Sequence, residues 1–337
     1  MHRAPEPGFF RPHGTYHPKC RPSPVPRFRC RACRRTFSRQ TFRADYCDNR
    51  PHLNAQLFRL LASGIGLRQC GRLLQLTRRC TELKARKVGR HLRQLNLNVL
   101  GPLPPGSALM LDELETYEGR RNTRPLTVPV VMESSSWFLL WAESAMIPPS
   151  GKMTPLRERL IERDRERFGR RRDLSGTAVR RSLERVAPHV EHLESLRIDT
   201  DEKLSYPGLI EAALGKEGLE HVRTSSKLVR DKANPLFPIN QSEAVMRDLM
   251  GRMRRESWLV SKQRRYLDIA LHVHIGYRNL VRARFNHDPR SCAEALGLMR
   301  RRLNYEEALS WRQVFGARSL HPLTRGKRTF EEVRAAA

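Results

Sequence analysis

Leucines recur at helical spacing over Leu53, Leu57, Leu60 and Leu61, and the run Ser63-Gly64-Ile65-Gly66 then breaks the period. Leu67, Leu73, Leu74 and Leu76 continue the apolar pattern, and Thr77 stands where a cap is expected for a last helix over 78–93. Three short helices with a tight turn fit a helix-turn-helix pattern. Gly101-Pro102-Leu103-Pro104-Pro105-Gly106 reads as a linker. Beyond it the period changes: 108–117, 125–132 and 137–145 are short β-rich runs with turn-like gaps, which predicts an antiparallel meander. A charge-dense stretch at 152–175 predicts a solvated helix or loop. The pattern then predicts a helix at 177–194, a strand at 195–200, a helix near 207–214 and a strand at 219–225, followed by long helices at 241–256 and 263–283. After about 288, Leu303, Trp311, Val314 and Phe315 predict a tail packed on the core.

Three strands followed by alternating helix and strand is the order of a ribonuclease-H-like mixed sheet, an α/β class. Residues 1–50, rich in Pro, Arg, Cys and His, show little helical periodicity and read as a small metal-stapled module. The expected organisation has four parts: a zinc-ribbon-like module at 1–50, a helix-turn-helix region at 51–100, a ribonuclease-H-like catalytic domain at 106–285 and a C-terminal extension at 286–337. The charged segment at 152–176 is an insertion in the catalytic domain.

Charge narrows the partners. Lys and Arg total 64 against 35 Asp and Glu in 337 residues, a formal net charge of +29. Such an excess favours a polyanion, because cationic side chains gain affinity by releasing counterions from phosphates. Seven cysteines, an odd count that includes a Cys-x-x-Cys pair, suit a reducing compartment better than a disulfide framework. His2-Arg3-Ala4-Pro5-Glu6-Pro7 lacks a signal-like apolar stretch. No apolar run approaches the roughly 20 residues that span a bilayer. A cytoplasmic, nucleoid-associated protein without membrane contact is expected.

Cys30-Arg31-Ala32-Cys33 has the shape of a knuckle in which two thiolates grip one zinc. His17-Pro18-Lys19-Cys20 is the best upstream pair for the remaining two ligands, with His13 and Cys47 as rivals. The basic face of the last N-terminal helix, with Arg78, Arg79, Lys84, Arg86 and Lys87, predicts DNA contact, as do Arg247, Arg252 and Arg255 further on.

The acids are few and well placed. Asp112 follows Ala108-Leu109-Met110-Leu111, and Asp201 follows Leu196-Arg197-Ile198-Asp199-Thr200, so both stand in or at the end of hydrophobic strands. Phosphoryl transfer on DNA uses two metal ions that clamp the attacking and leaving oxygens. Such hard cations, magnesium or manganese, take oxygen ligands. Adjacent strands would bring the two aspartates together, with Asp199 as a rival to Asp201 on the same strand side. Asn240 and Glu243, three apart, share one helical face as candidates for a third ligand, although Asn240-x-x-Glu243 also fits a capping box.

Together these residues resemble bacterial insertion-sequence transposases with an N-terminal zinc ribbon and a DDE-type ribonuclease-H-like domain. The matching pieces are Arg27-Phe28-Arg29-Cys30-x-x-Cys33-x-x-Thr36-Phe37-Ser38, Leu111-Asp112-Glu113, Thr200-Asp201-x-x-x-x-Tyr206, and the run from Asn240 to Lys262. The resemblance implies Asp112 and Asp201 as metal ligands. It places the third at Asn240, 22 positions before Lys262, with Lys262 as a fourth catalytic element and Glu243 as an alternative ligand. It also brings His221 into consideration as a site residue. The implied activity is metal-dependent cleavage at transposon ends followed by strand transfer. The implied partners are double-stranded DNA, as terminal inverted repeats and target, and further copies of the chain in a synaptic complex. Competing readings are an inactive transposase-derived DNA-binding protein and a zinc-ribbon transcription regulator.

Overall fold

In a computed structural model, the protein is described at residues 8–20, 22–215, 217–225, 227–229, 231–254 and 258–312. The expected contributions of Val314 and Phe315 lie outside these residues. The chain begins with a three-stranded antiparallel sheet, β1 (Phe10–Tyr16), β2 (Val25–Cys30) and β3 (Thr36–Ser38). Aromatic rings form its apolar centre: Phe10 packs on Phe28 and Phe37 with centroids 5.0 and 5.6 Å away, and Phe37 packs on Phe42 at 5.8 Å.

Three helices follow, α1 (Asn54–Ala62), α2 (Leu67–Leu73) and α3 (Arg78–Val99). Gly64 (φ 79°) takes the left-handed conformation where the leucine period breaks. Thr77 caps α3 as expected, its side chain accepting the Cys80 amide at 3.3 Å. The helix runs six residues beyond the expected end, because Leu92, Leu95 and Val99 continue its buried stripe.

The main sheet has six strands: β4 (Ala108–Tyr117), β5 (Pro125–Glu133), β6 (Leu139–Ala142), β7 (Ala145–Met146), β8 (Leu196–Asp201) and β9 (Leu219–Thr224). The order is β6-β5-β4-β8-β9, with β7 paired to β5. The meander β4-β5-β6 is antiparallel, while β8 and β9 run parallel to β4. This mixed α/β sheet is consistent with a ribonuclease-H-like fold. The charged segment forms α4 (Pro155–Phe168), a helix with no buried residue, and α5 (Ser175–Val186) and α6 (Tyr206–Leu214) frame β8.

Alternation along the strands builds two cores. Leu109, Leu111 and Ile198 face a cluster that takes in α1, α3, α5 and the tail residues Leu303 and Trp311. Met110, Leu114 and Val128 face a second cluster with α7 (Phe237–Leu249) and α8 (Arg264–Gly276). The expected helix at 241–256 thus begins and ends earlier, with Pro238 in its first turn, a position that tolerates a missing N–H. The expected helix at 263–283 gives way after Gly276 to a π-helical turn, Tyr277–Val281.

The N-terminal helices share the first core with the sheet rather than standing apart. Where α3 crosses α8, both backbones come close at glycines. A Cβ on Gly89 would lie 2.5 Å from Ile269 Cγ2 and 2.7 Å from its carbonyl oxygen. A Cβ on Gly276 would lie 2.9 Å from Leu92 Cβ. None of the described helices is long and apolar enough to cross a membrane.

Candidate functional site

The offset between β4 and β8 makes a notch. Their parallel register, Leu109 beside Ile198 and Leu111 beside Thr200, leads to Asp112 and Asp201 as the next pair along. Neighbouring strands lie about 4.8 Å apart, so the two carboxylates stand side by side. There β8 ends, while β4 runs on to Tyr117. The space left by β8 opens as a cleft of about 310 Å³ lined by Asp112, Asp201, Asn240, Glu243 and Arg247, together with Glu113 and Glu115.

Helix α7 closes the cleft. Asn240, Glu243 and Arg247 recur at i, i+3 and i+7, so one face of the helix presents them to the strands. Ile239, Ser242 and Met246 are buried beside them and fix that orientation. The Asn240 amide donates to Leu236 O at 3.0 Å inside the helix, and Leu236 holds the cap position. Asn240 and Glu243 therefore do not form a capping box; both project from within the first turns. Arg247 reaches the carbonyl oxygens of Glu115 (3.4 Å) and Met253 (3.3 Å).

Each aspartate is held by a local amide. Asp112 Oδ1 accepts the Glu113 N–H at 2.7 Å, and Asp201 Oδ1 accepts the Lys203 N–H at 3.0 Å. Glu113 points to the other side of the sheet. It accepts from Thr127 Oγ1 (3.1 Å), Tyr206 OH (3.3 Å) and the Lys203 ammonium. Burial, then the charges of Glu113, Asp112 and Asp201, drive the Tyr206 phenol far above its usual pKa, so it stays a proton donor. The sequence reading gave Glu113 no role, although the same alternation that exposes Asp112 to the cleft dictates its opposite direction.

Asp199 shares the face of Asp201 but is 3% exposed and clamped by Arg197, with Nη2 to Oδ1 at 2.8 Å. His221 is in register with Ile198, and its Nε2 lies 2.8 Å from Thr200 Oγ1, so it faces away from Asp201. Burial, then Arg223, lowers its pKa. Lys262 is not brought into the cleft. It follows Ser261, whose carbonyl accepts the Gly119 amide at 3.0 Å, just past the end of β4 at Tyr117, five strand steps or about 17 Å from Asp112.

The basic residues divide. Arg79 is exposed, and Arg78 is exposed beside Glu82 at 2.9 Å. Arg86 and Lys87 are half-buried, with the Lys87 ammonium on the Tyr46 carbonyl. Lys84 belongs elsewhere. It is buried, with Nζ 2.6 Å from both Asp48 oxygens, 2.8 Å from Arg50 O and 2.9 Å from Asn54 Oδ1, so it ties the chain before α1 to α3 and is withdrawn from any DNA surface. Arg252 is likewise turned inward, donating to Ser261 Oγ at 2.7 Å, and burial lowers its pKa. Arg255 lies outside the described residues.

The four expected zinc ligands are split. His17 and Cys20 follow Tyr16, which pairs with Val25 at the closed end of the β1–β2 hairpin; Cys30 pairs with Phe10 at the other end. Five strand steps separate the ends, about 17 Å. Cys30 and Cys33 do meet: the Cys33 amide lowers the Cys30 pKa despite some burial. His13 sits at the bulge in β1 and Cys47 is exposed. Among the described residues, no group of three or more His, Cys, Asp or Glu side chains is gathered closely enough to hold a metal.

No protein-family model matches the chain, and no curated protein matches it. Among solved structures, a chain from the crystal structure of a pre-cleavage Mos1 transpososome aligns at 11% identity over 76% of this chain and 78% of that one, with a TM-score of 0.19. A likeness of that degree carries no argument about fold or function.

Proposed function

We propose that the protein is a transposase-type enzyme that cleaves and joins DNA strands with divalent metal. The observation that carries this reading is the side-by-side pair Asp112 and Asp201, faced across a cleft by Asn240 and Glu243, in a chain of net charge +29. The donor chemistry suits a hard cation, while as they stand no three of the described His, Cys, Asp or Glu side chains are gathered closely enough to hold one. Two carboxylates, an amide carbonyl and a further carboxylate are all oxygen donors, as magnesium and manganese require, with no soft ligand among them. Asp112, Asp201 and Asn240 would hold the metal, with Glu243 one helical turn away. Bound there, two such ions supply charge stabilisation at the attacking and leaving oxygens of a phosphodiester.

The protein's own groups set the frame. The Glu113, Thr127, Tyr206 and Lys203 contacts fix the strand end that carries Asp112 and Asp201. Arg247, between cleft and helix, is positioned to meet a phosphate oxygen. Lys262 and the exposed Arg78 and Arg79 of α3, with the half-buried Arg86 and Lys87 beside them, would contact the DNA backbone. In this reading the helices act as a helix-turn-helix on terminal inverted repeats, and pairing two ends takes at least two copies of the chain. Cys30 and Cys33 would supply two thiolates to a structural zinc, and metal analysis of the purified protein checks that part alone.

The test is a magnesium-dependent cleavage assay on DNA carrying matched inverted repeats. Asp112→Asn and Asp201→Asn should abolish cleavage and leave DNA binding intact. Cleavage retained by either variant would sink the assignment. The neutral Asn240 favours a second reading, a DNA-binding descendant without chemistry, for which the unmodified protein would bind but not cut in the same assay.

A further inference from the structure

A second pocket, of about 290 Å³, lies on the other side of α7 from the acidic cleft. Gln241 and Val245 form its wall on that helix, about half a turn from Asn240 and Glu243. Its opposite wall is basic and aromatic: Arg278, Arg282 and Arg284 with Trp137 and Phe285.

Of the three guanidinium groups, those of Arg278 and Arg282 lack a carboxylate partner among the described residues. Arg278 is 3% exposed; its Nη1 donates to Arg284 O at 3.2 Å, and its Nε has no partner among the described residues. Arg282 Nη1 is buried and equally without partner. Among the described residues no carboxylate pairs with Arg278 or Arg282; Asp288 pairs with Arg284 at 2.6 Å and with Arg290 at 3.0 Å. Behind them His274 is wholly buried with both ring nitrogens unpartnered, and burial and the two arginines push its pKa down to about 3. It stays neutral and offers no negative charge. Buried cations in this state are costly unless an anion completes them.

The aromatic wall is held under strain. Trp137 has φ 63°, a conformation disfavoured for a bulky side chain. The turn around it is over-determined: the Glu133 carboxylate accepts Ser135 N (3.0 Å), Ser135 Oγ (2.8 Å) and Ser136 N (2.7 Å), and Arg284 Nη1 donates to Ser135 O at 2.9 Å. The outcome is an indole set edge-on to Phe285, centroids 4.7 Å apart at 89°. Arg278 arrives on the π-helical turn, a rare form that recurs at functional sites. Strain of this kind persists where a side chain must be aimed.

We propose that this pocket binds one nucleotide unit of a DNA strand, with the phosphate on Arg278 and Arg282 and the base against Trp137 and Phe285. The volume lies at the small end of ligand pockets and excludes a duplex. Bases stack on aromatic faces without regard to sequence, and arginines track the phosphate. The choice of DNA rests on the proposed function; the anion and the stacked ring rest on the pocket itself.

The test uses the full-length protein, a fluorescent single-stranded DNA hexamer, the same hexamer made abasic, and inorganic phosphate. The hexamer should quench tryptophan fluorescence, and Trp137→Phe should remove that quenching. Arg282→Gln, at a half-exposed position, should weaken hexamer binding about tenfold and reduce the salt slope by about 0.7, the value for one phosphate contact on a single strand. The abasic hexamer should bind more weakly and quench nothing. Quenching that persists in Trp137→Phe overturns the proposal, as does parental affinity and salt slope in a folded Arg282→Gln; if that variant does not fold, the Trp137→Phe arm still decides. Inorganic phosphate that displaces the hexamer at equal concentration overturns the nucleotide assignment. Asp112→Asn should lose cleavage and keep hexamer quenching unchanged, so cleavage retained in that variant with quenching intact counts against the enzyme reading alone.

Discussion

The Lys84 ammonium sits 2.6 Å from each Asp48 oxygen, deep between α3 and the segment that leads into α1. Removing one partner strands the other as an uncompensated buried charge, which typically costs about 3–5 kcal/mol. Lys84→Ala should therefore lower stability by about that much in urea denaturation. Arg79→Ala, at an exposed position on the same helix, should change stability by less than about 0.5 kcal/mol and weaken DNA binding instead. Equal stability losses in the two variants would contradict the division of roles.

Gly89→Ala should destabilise the protein, against the usual gain of about 1 kcal/mol for that change in a helix. The new methyl would meet Ile269 at 2.5 Å and its carbonyl oxygen at 2.7 Å, and backbone cannot step aside as a side-chain tip can. Overpacking of this kind costs about 1–3 kcal/mol. A stabilised variant in thermal or denaturant unfolding would show that α3 and α8 are not in contact there.

Glu118 links three segments: Arg124 Nη2 at 2.9 Å, Arg171 Nη1 at 3.0 Å and the Arg264 amide at 2.7 Å. Burial raises its pKa, but these donors outweigh it and hold the group below its usual 4.5. A carboxylate with a depressed folded pKa stabilises fully above its unfolded pKa and loses that contribution as pH falls through the folded value. Glu118→Gln should cost about 3 kcal/mol at pH 7. It should also flatten the decline in stability below the usual pKa of 4.5. A parental acid profile in the variant would assign that decline to other groups.

Asn240→Asp should tighten divalent binding several-fold, since a carboxylate replaces a neutral carbonyl at the same position. Calorimetric titration with manganese, without DNA, reads this directly. Glu243→Gln should weaken binding in the same titration. Unchanged affinity in both variants would remove α7 from the metal site.

The two aspartates were legible because strand period and apolar flanks set their direction, and parallel pairing set their neighbours. Asn240 and Glu243 were legible as neighbours on one helical face. The helix start was not, since Leu236, Phe237 and Pro238 lack a conventional cap and burial against the sheet begins α7 three residues before Asn240. Lys84 was misplaced because a lysine in a basic run looks solvated until Asp48, distant in sequence, is brought against it. The hairpin register that separates Cys20 from Cys30 depends on a bulge between Pro12 and Thr15, which the cysteine spacing does not encode. The pocket beneath Trp137 depends on a left-handed residue that is not glycine, for which composition gives no signal.

The early end of β8 has a consequence for association between chains. It leaves the backbone of β4 beyond Asp112 without a strand on that side, an open edge in the middle of a sheet and a template for a foreign strand. Glu113 and Glu115 line that edge, and the Arg247 guanidinium occupies the Glu115 carbonyl. A strand entering there would have to desolvate carboxylates and displace a cation. Glu115 and Arg247 thus protect the sheet from polymerising through its own centre.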